Sequence, residues 1–366
     1  MPAILSLSSQ VLRGHVGNSA AVPTFNALGF EAWAVPTVIL SNHPGHGSAA
    51  GCAVAASDME AMIRELERHG WLQDCVGILT GYFRSPEQCM FASQLVHDLK
   101  HTNPEIFYCC DPVIGDDPQG LYVDTDIALA VRDRLAPQAD LLTPNLFELQ
   151  WLSGVHARAP EDVAEAACAL NGAEVMATSI PAGDDRLATV WVEGETGVQA
   201  VVGRRADVPH GVGDMMAAAA LACRLSGDDP ARALGRACGL VEHVLDVSQG
   251  RDELDLTAGL RDAATVPVVW VRPVGADEHD FAGTGWVAGV DGCPAGWIVA
   301  LVDADDPGNA RCELCRDFTD ILMLEPRPEI IAVDIPIGVP DIAIRGGRTC
   351  DNETRSRLGG RQSSVF

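Results

Sequence analysis

The stretch "RRADVPHGVGDMMAAAALACRL", residues 204–225, sets Gly211-Val212-Gly213-Asp214 immediately ahead of a long alanine-rich run. The run predicts a helix, and the glycine pair predicts a turn feeding its N-terminus. Such a turn presents unpaired backbone N–H groups at the positive end of the helix dipole, which suits an anion. Small residues also let a phosphate approach the backbone closely. An acid there would repel a phosphate that was merely bound. Its better use is to take a proton from an attacking hydroxyl while the N–H groups hold the charge developing on the transferred group. That division of labour fits phosphoryl transfer, where positioning and electrostatics do most of the catalysis. The plainer reading makes Asp214 an N-cap.

Upstream of this turn, strand-like and helix-like segments alternate. Apolar runs at 3–9, 31–40, 75–81, 106–115, 139–145 and 173–179 close on polar or turn residues, with helical spacing at 17–30, 57–70, 86–101, 125–135 and 160–171. Ser57, with Glu60 three residues on, predicts the cap of the second helix, and Gly70 its end. The rhythm predicts an α/β fold with a mostly parallel sheet flanked by helices. Ligands of such sheets bind beyond the carboxyl ends of the strands, where Ser9, Gly81, Asp111, Asn145 and Thr178 fall.

At 366 residues the chain exceeds what one hydrophobic core usually holds, so two domains are expected. A first domain over 1–270, a Pro/Gly/Asp-rich linker at 271–285 and a second segment over 286–366 fit the change in character. An apolar fraction of 47% with 21% charged residues marks a foldable chain, and a net charge of −26 argues against nucleic acid as a general partner. Lys100 is the single lysine among 25 basic residues. Twelve scattered cysteines do not form a disulfide pattern, no secretory leader is evident, and no stretch reaches the ~20 apolar residues of a membrane span. A cytoplasmic protein with reduced thiols is expected. Cys312 and Cys315 form an isolated C-x-x-C that lacks the partners of a zinc site.

The segments "SSQVLRGHVGNSAA", "TVILSNHPGHG", "LTGYFRSPEQ", "CDPVIGD", "LLTPNLFEL", "ATSIPAG" and "GVGD" occur in the order found in pyridoxal kinases, and the resemblance covers roughly residues 3–262. It implies a ribokinase-like fold and ATP-dependent phosphorylation of the 5′-hydroxymethyl of pyridoxal, with Mg²⁺ and a monovalent cation, K⁺ or Na⁺. It also implies a homodimer acting on B6 vitamers, with no membrane. By resemblance Asp214 is the base, Gly211 and Gly213 form the anion hole, and Val212 lies on the nucleotide side. Ser9, Pro44, Gly45, His46 and Tyr82 match substrate contacts. Asp111 matches the acid near the phosphates and cation, and Glu148 the acid that organises Mg²⁺. Thr143, Thr178 and Ser179 resemble nucleotide-side contacts. His15 and His43 are expected to be structural, hydrogen-bonded to loop backbone.

Several positions depart from the family. Pro44-Gly45 offers no hydroxyl where some relatives contact substrate through a polar residue, which opens the preference among pyridoxal, pyridoxine and pyridoxamine. Arg13 stands where many relatives carry an aromatic or aliphatic residue. Ala177 replaces a lysine of some bacterial members, and residues 186–210 match weakly.

Residues 286–366 differ in kind. "WVAGVDGCPAGWIVALVDA" predicts a hairpin, and "EIIAVDIPIGVP" a buried strand that carries an acid. These, with "RTCDNETRSRLGGRQSSVF", resemble the front part of a predicted nuclease family of ribonuclease-H-like fold, a small partial α/β segment. Asp291 and Asp334 would then be paired carboxylates for two-metal phosphodiester chemistry. Arg345, Arg348, Arg355, Arg357 and Arg361 make a local basic cluster or a solvated face. Two further functions compete with the kinase: phosphorylation of a hydroxymethylpyrimidine, and a nucleic-acid-processing protein whose kinase-like part only senses B6 vitamers. A pure sensor needs no base at Asp214.

Overall fold

Ala3–Val11 is buried along almost its whole length and forms β1. A run apolar on both faces needs cover on both, which a central parallel strand flanked by helices supplies. In the computed structural model, residues 2–170, 172–194, 196–276, 286–293, 296–303, 309–324 and 328–334 are described. The chain divides into two units, Met1–Gly275 and Ala276–Phe366.

In the first unit β1 leads to α1 (Asn18–Ala27), β2 (Glu31–Leu40), β3 (Gly51–Ala53), α2 (Ala56–Arg68) and β4 (Cys75–Thr80). Next come α3 (Pro86–Thr102), β5 (Phe107–Cys110) and a small ladder of β6 (Gly115–Asp116) with β7 (Gly120–Leu121). The chain continues through α4 (Thr125–Ala130), β8 (Leu141–Leu142), α5 (Leu146–Ser153) and α6 (Val163–Cys168). It then forms β9 (Glu174–Pro181), β10 (Arg186–Glu193), β11 (Thr196–Gly203), α7 (Val212–Leu225), α8 (Pro230–Val247), α9 (Leu256–Gly259) and β12 (Val271–Pro273).

The sheet runs in the order β12-β11-β10-β9-β8-β5-β4-β1-β2-β3. Pairing is parallel from β9 across to β2 and antiparallel at both margins. The expected α/β sheet with helices on both faces is present. Successive residues feed opposite cores, as a period of two requires. Leu5, Ile78 and Tyr108 join the cluster under α2 to α6, and Ile4, Leu79 and Cys109 join the one under α1, α7 and α8.

Some local readings change. Ala55, without a side-chain cap, precedes α2, so Ser57 already lies inside the helix and caps nothing. The helix expected at 125–135 ends at Ala130 and continues as a wider turn over Val131–Leu135. Val271–Pro273, in the stretch read as linker, pairs with β11 as an edge strand. The remainder of that stretch, 277–285, lies outside the described residues. Among the described residues no helix is long and apolar enough to cross a membrane.

The second unit builds a four-stranded sheet in the order β15-β14-β13-β16, from β13 (Trp286–Cys293), β14 (Gly296–Asp303), β15 (Ala310–Cys315) and β16 (Pro328–Asp334). A short helix, α10 (Phe318–Leu322), is capped by Asp317 and Asp320. β13 and β14 pair antiparallel as the expected hairpin, and β16 lies parallel to β13 with Asp334 in register with Asp291. Cys312 is exposed and Cys315 buried on one strand, so an odd spacing turns them to opposite faces. The five arginines from Arg345 to Arg361 lie outside the described residues.

One buried side chain fixes the edge that carries the 41–50 loop. Gln88 Nε2 donates to Thr37 O at 2.8 Å and Val54 O at 2.6 Å, and its Oε1 accepts from Arg84 N at 2.8 Å. Gln88→Leu removes three hydrogen bonds, leaving the Val54 carbonyl and the Arg84 amide without this partner while Thr37 O keeps the Val54 N–H, and should cost ~1–3 kcal/mol. Chemical denaturation of the full chain reads this as a lower midpoint; an unchanged midpoint contradicts it.

Candidate active site

The loops beyond the carboxyl ends of β1, β2, β4, β5 and β8 converge with the turn that opens α7. Gly211 holds φ 96° and is the N-cap of α7. A Cβ there would sit 1.6 Å from the carbonyl oxygen of His15, so only glycine fits. Gly213 faces open space in the first helical turn, where a ligand can meet the backbone. Because Gly211 occupies the N-cap, Asp214 does not; it is the third residue inside the helix. The capping alternative is therefore set aside.

Asp214 is partly buried, and its carboxylate accepts backbone hydrogen bonds from Gly17 and from its own amide. Burial outweighs them and pushes its carboxyl up to about 6. Gly17 in turn is pressed on Ser9: a Cβ on it would lie 2.3 Å from Ser9 O and 2.3 Å from Ser9 Oγ. One short loop thus ties the end of β1 to the acid of α7.

Asp111 follows β5 directly and is buried; Thr143 Oγ1 donates to its Oδ1 at 3.0 Å. Glu148 lies in the first turn of α5, in a capping box with Asn145. Its Oε1 accepts from Ile114 N at 2.8 Å and Gly115 N at 3.4 Å, and its Oε2 from Asn145 N at 3.0 Å. Burial still raises it to about 7. Asp111 is raised further, by burial first and then by the charges of Glu148 and Asp214. The structure therefore brings Asp111, Glu148 and Asp214 into one electrostatic site.

Thr178 and Ser179 sit in β9 where its register with β10 slips, and Asn145 bridges to Thr178. This bulge re-aims the pair, and Ser179 takes φ 62°. Tyr82 follows β4, its N–H donating to Ser8 Oγ at 3.2 Å and its carbonyl accepting from Thr37 Oγ1 at 2.6 Å. Pro44–His46 form a tight turn capped by His43, whose Nδ1 accepts from Gly45 N at 3.1 Å. His43 is bonded to loop backbone as expected. His15 is not: its buried Nδ1 has no hydrogen-bond partner.

Four residues near the site escaped sequence reading. Tyr122, just after β7, is half exposed, yet partial desolvation of its hydroxyl and the charges of Glu148, Asp111, Asp214 and Asp116 push it up. Glu253 takes His46 Nε2 at 3.0 Å and Arg13 Nη1 at 3.3 Å, a long-range pairing with no sequence signal. Arg13 also meets Asp252 at 2.6 Å, which gives the departure at Arg13 a structural partner. His210, its ring tilted against that of His43, had one signal: it directly precedes the glycine turn. Ala177 is fully buried, so position 177 sends nothing toward the site.

Among the described residues no three His, Cys, Asp or Glu side chains are grouped to hold a metal by themselves. The donor chemistry is nonetheless that of a hard cation: crowded buried carboxylates whose repulsion a bound cation would relieve, with room left for ligand oxygens and water.

Crowding has a consequence for stability. Folded Glu148 and Asp214 hold protons that the unfolded chain releases at ordinary carboxyl pH, so their contribution to stability is present below about pH 4 and is lost as pH rises through about 6 to 7. Asp111→Asn keeps an oxygen for Thr143 and removes one charge. It should raise the melting temperature at about pH 8 by a few degrees, roughly 1 kcal/mol, and do little near pH 4. A variant no more stable than wild type at the higher pH contradicts the crowding.

The family described as phosphomethylpyrimidine kinase matches residues 14–254, and the family described as a protein of unknown function (DUF429) matches residues 289–366. Pyridoxal kinase PdxY of Rubrobacter xylanophilus is 35% identical over 281 residues, 72% of this chain and 94% of that protein. Pyridoxal kinase PdxY of Granulibacter bethesdensis is 43% identical over 159 residues, 43% of this chain and 56% of that protein. Pyridoxal kinase from Leishmania donovani, solved in complex with ADP and pyridoxine, superposes with a TM-score of 0.70 at 27% identity, covering 75% of this chain and 99% of that one. With its sheet, its glycine turn and its acids in place, the chain belongs to the pyridoxal kinase family.

Proposed function

We infer that the chain is a pyridoxal kinase, transferring the γ-phosphoryl group of ATP to the 5′-hydroxyl of pyridoxal. The observation that carries this reading is the meeting of Asp214, behind a left-handed glycine turn, with the buried acids Asp111 and Glu148. A carboxyl near 6 is ionised at neutral pH yet basic enough to accept a hydroxyl proton in the transition state. As that proton moves to Asp214, the freed oxygen bonds the γ-phosphorus, and the bond to the ADP oxygen breaks. The amides of the Gly211–Gly213 turn hold the charge that gathers on the transferred group.

In this reading Ser9, Tyr82 and the Pro44–His46 turn surround the vitamer ring, and Thr143, Thr178, Ser179 and Val212 serve the nucleotide. Asp111 and Glu148 would hold Mg²⁺, in part through its waters; bound there, the ion offsets charge on the phosphate oxygens. Family resemblance alone carries a K⁺ or Na⁺ near Asp111 and a homodimer.

Two other readings have a specific support each. The phosphomethylpyrimidine kinase description of residues 14–254 favours a hydroxymethylpyrimidine as a competing acceptor. In the second unit, the register of Asp291 with Asp334 on parallel strands supports a ribonuclease-H-like carboxylate pair.

The test is turnover by the full chain with Mg·ATP across pyridoxal, pyridoxine, pyridoxamine and hydroxymethylpyrimidine. Pyridoxal should be converted to its 5′-phosphate, and Asp214→Asn should lower kcat by ~10²–10⁴, the range for a positioned base. Wild-type kcat should fall as pH drops through about 6, where Asp214 takes up its proton. Full turnover in Asp214→Asn removes the base assignment, and preference for the pyrimidine changes the substrate.

A further inference from the structure

We propose that His210 is a positioning residue: tilted against the His43 ring and seated against Gly45, its imidazole latches the Pro44–His46 turn to the Gly211 turn, and the latch opens when His43 Nδ1 takes up a proton. The proposal rests on the kinase reading, in which these two turns face the vitamer and the phosphate.

The contacts are specific. The His43 and His210 rings lie 4.0 Å apart at 37°, and His46 meets His210 edge-on at 5.9 Å and 87°. Gly45 is wedged between the first two: a Cβ on it would come within 2.5 Å of His210 Nε2 and 2.8 Å of His43 Nδ1. A side chain at position 45 would have to push one of these rings aside. His210 is joined directly to Gly211, whose turn is held independently by the His15 carbonyl, so the ring ties the Pro44–His46 turn to an already fixed point.

Protonation is built into this geometry. His43 Nδ1 accepts the Gly45 N–H, so in this arrangement that nitrogen carries no proton. A proton there would set one N–H against another and place positive charge on a ring 4.0 Å from His210. The charged groups facing His43 are His210, His46 and Glu253. Glu253 is already shared by His46 and Arg13, and Arg13 also by Asp252, so little of its charge is left to compensate a His43 cation. Burial, then the two neighbouring imidazoles, hold His43 below its ordinary value of 6.5. The latch is therefore closed at neutral pH and lost as pH falls below that range.

Steady-state kinetics of the full chain with Mg·ATP and pyridoxal, from about pH 5.5 to 8.5, test this with two variants. His210→Ala should raise the pyridoxal KM about three- to tenfold at the upper pH, the worth of one aromatic pair. Its kcat should stay within about twofold, since the reacting groups remain. His210→Phe keeps a ring without a charge, so KM should stay near wild type at high pH and climb less on acidification. The Asp214 limb falls on kcat in all three proteins and does not obscure the difference. An unchanged KM in His210→Ala, or an equal acid rise of KM in wild type and His210→Phe, overturns the proposal.

A second measurement is independent of turnover. Imidazole NMR titration should show His43 taking its proton at higher pH in His210→Phe than in wild type; identical titrations also overturn the latch. If wild type phosphorylates no B6 vitamer at any pH, the kinase reading fails, and the titration alone then judges the latch.

Discussion

The contact between Gly211 and the His15 carbonyl is the constraint on which the site depends. At 1.6 Å from where a Cβ would stand, that oxygen excludes every side chain and lets the loop after β1 close on the first turn of α7. Only with this closure does the Gly17 amide reach the Asp214 carboxylate. Gly17 itself covers Ser9. The helix behind the turn is shaped to match. Met215 to Cys223 are buried without interruption, so α7 is enclosed on all sides, and alanine is what lets α1 and α8 approach it closely. The alanine run is thus the packing that carries the catalytic turn.

Around this turn the chain accepts an electrostatic cost. Three carboxylates, two of them buried and one partly buried, crowd one site, and each is raised above the ordinary carboxyl range. A structure selected for stability alone would replace one of them by an amide. Glu148 is kept ionisable by three backbone N–H donors and Asp111 by a single hydroxyl, so the two acids are tuned unequally. Glu148 is the better-held anion, and Asp111 is the more dependent on a cation brought with a ligand.

Much of this was legible because it is local. The alternation of apolar runs with helical spacing located the parallel strands, and the glycine pair before the alanines located the turn. β2 was read residue for residue at 31–40. What escaped reading is made by distance or by competition between neighbours. The Arg13–Glu253–His46 group joins parts of the chain far apart in sequence, and no periodicity announces it. Ser57 has every local property of a cap, yet the cap position falls two residues earlier, on Ala55, and that register is set by packing of Met59 and Ile63. Val271–Pro273 lie in a Pro/Gly-rich stretch yet complete the margin of the sheet, because β11 offers an unpaired edge.

Backbone strain follows the same geography as the acids. The described non-glycine residues with positive φ are Val113, Ser179, Asp185 and Asp207. Aspartate tolerates that region through its short polar side chain, and both aspartates lie in turns. Valine and serine do not, and a β-branched residue at φ 44° is held there only by its surroundings. Val113 lies between Asp111 and the Ile114 amide that binds Glu148; Ser179 lies in the bulge beside Thr178. Each strained residue stands where a loop must leave the path its neighbours would choose in order to aim a polar group beyond the strand ends. Relaxing Val113 would swing the Ile114 and Gly115 amides away from Glu148, so the strain at one residue and the ionisation of another are two sides of the same loop conformation.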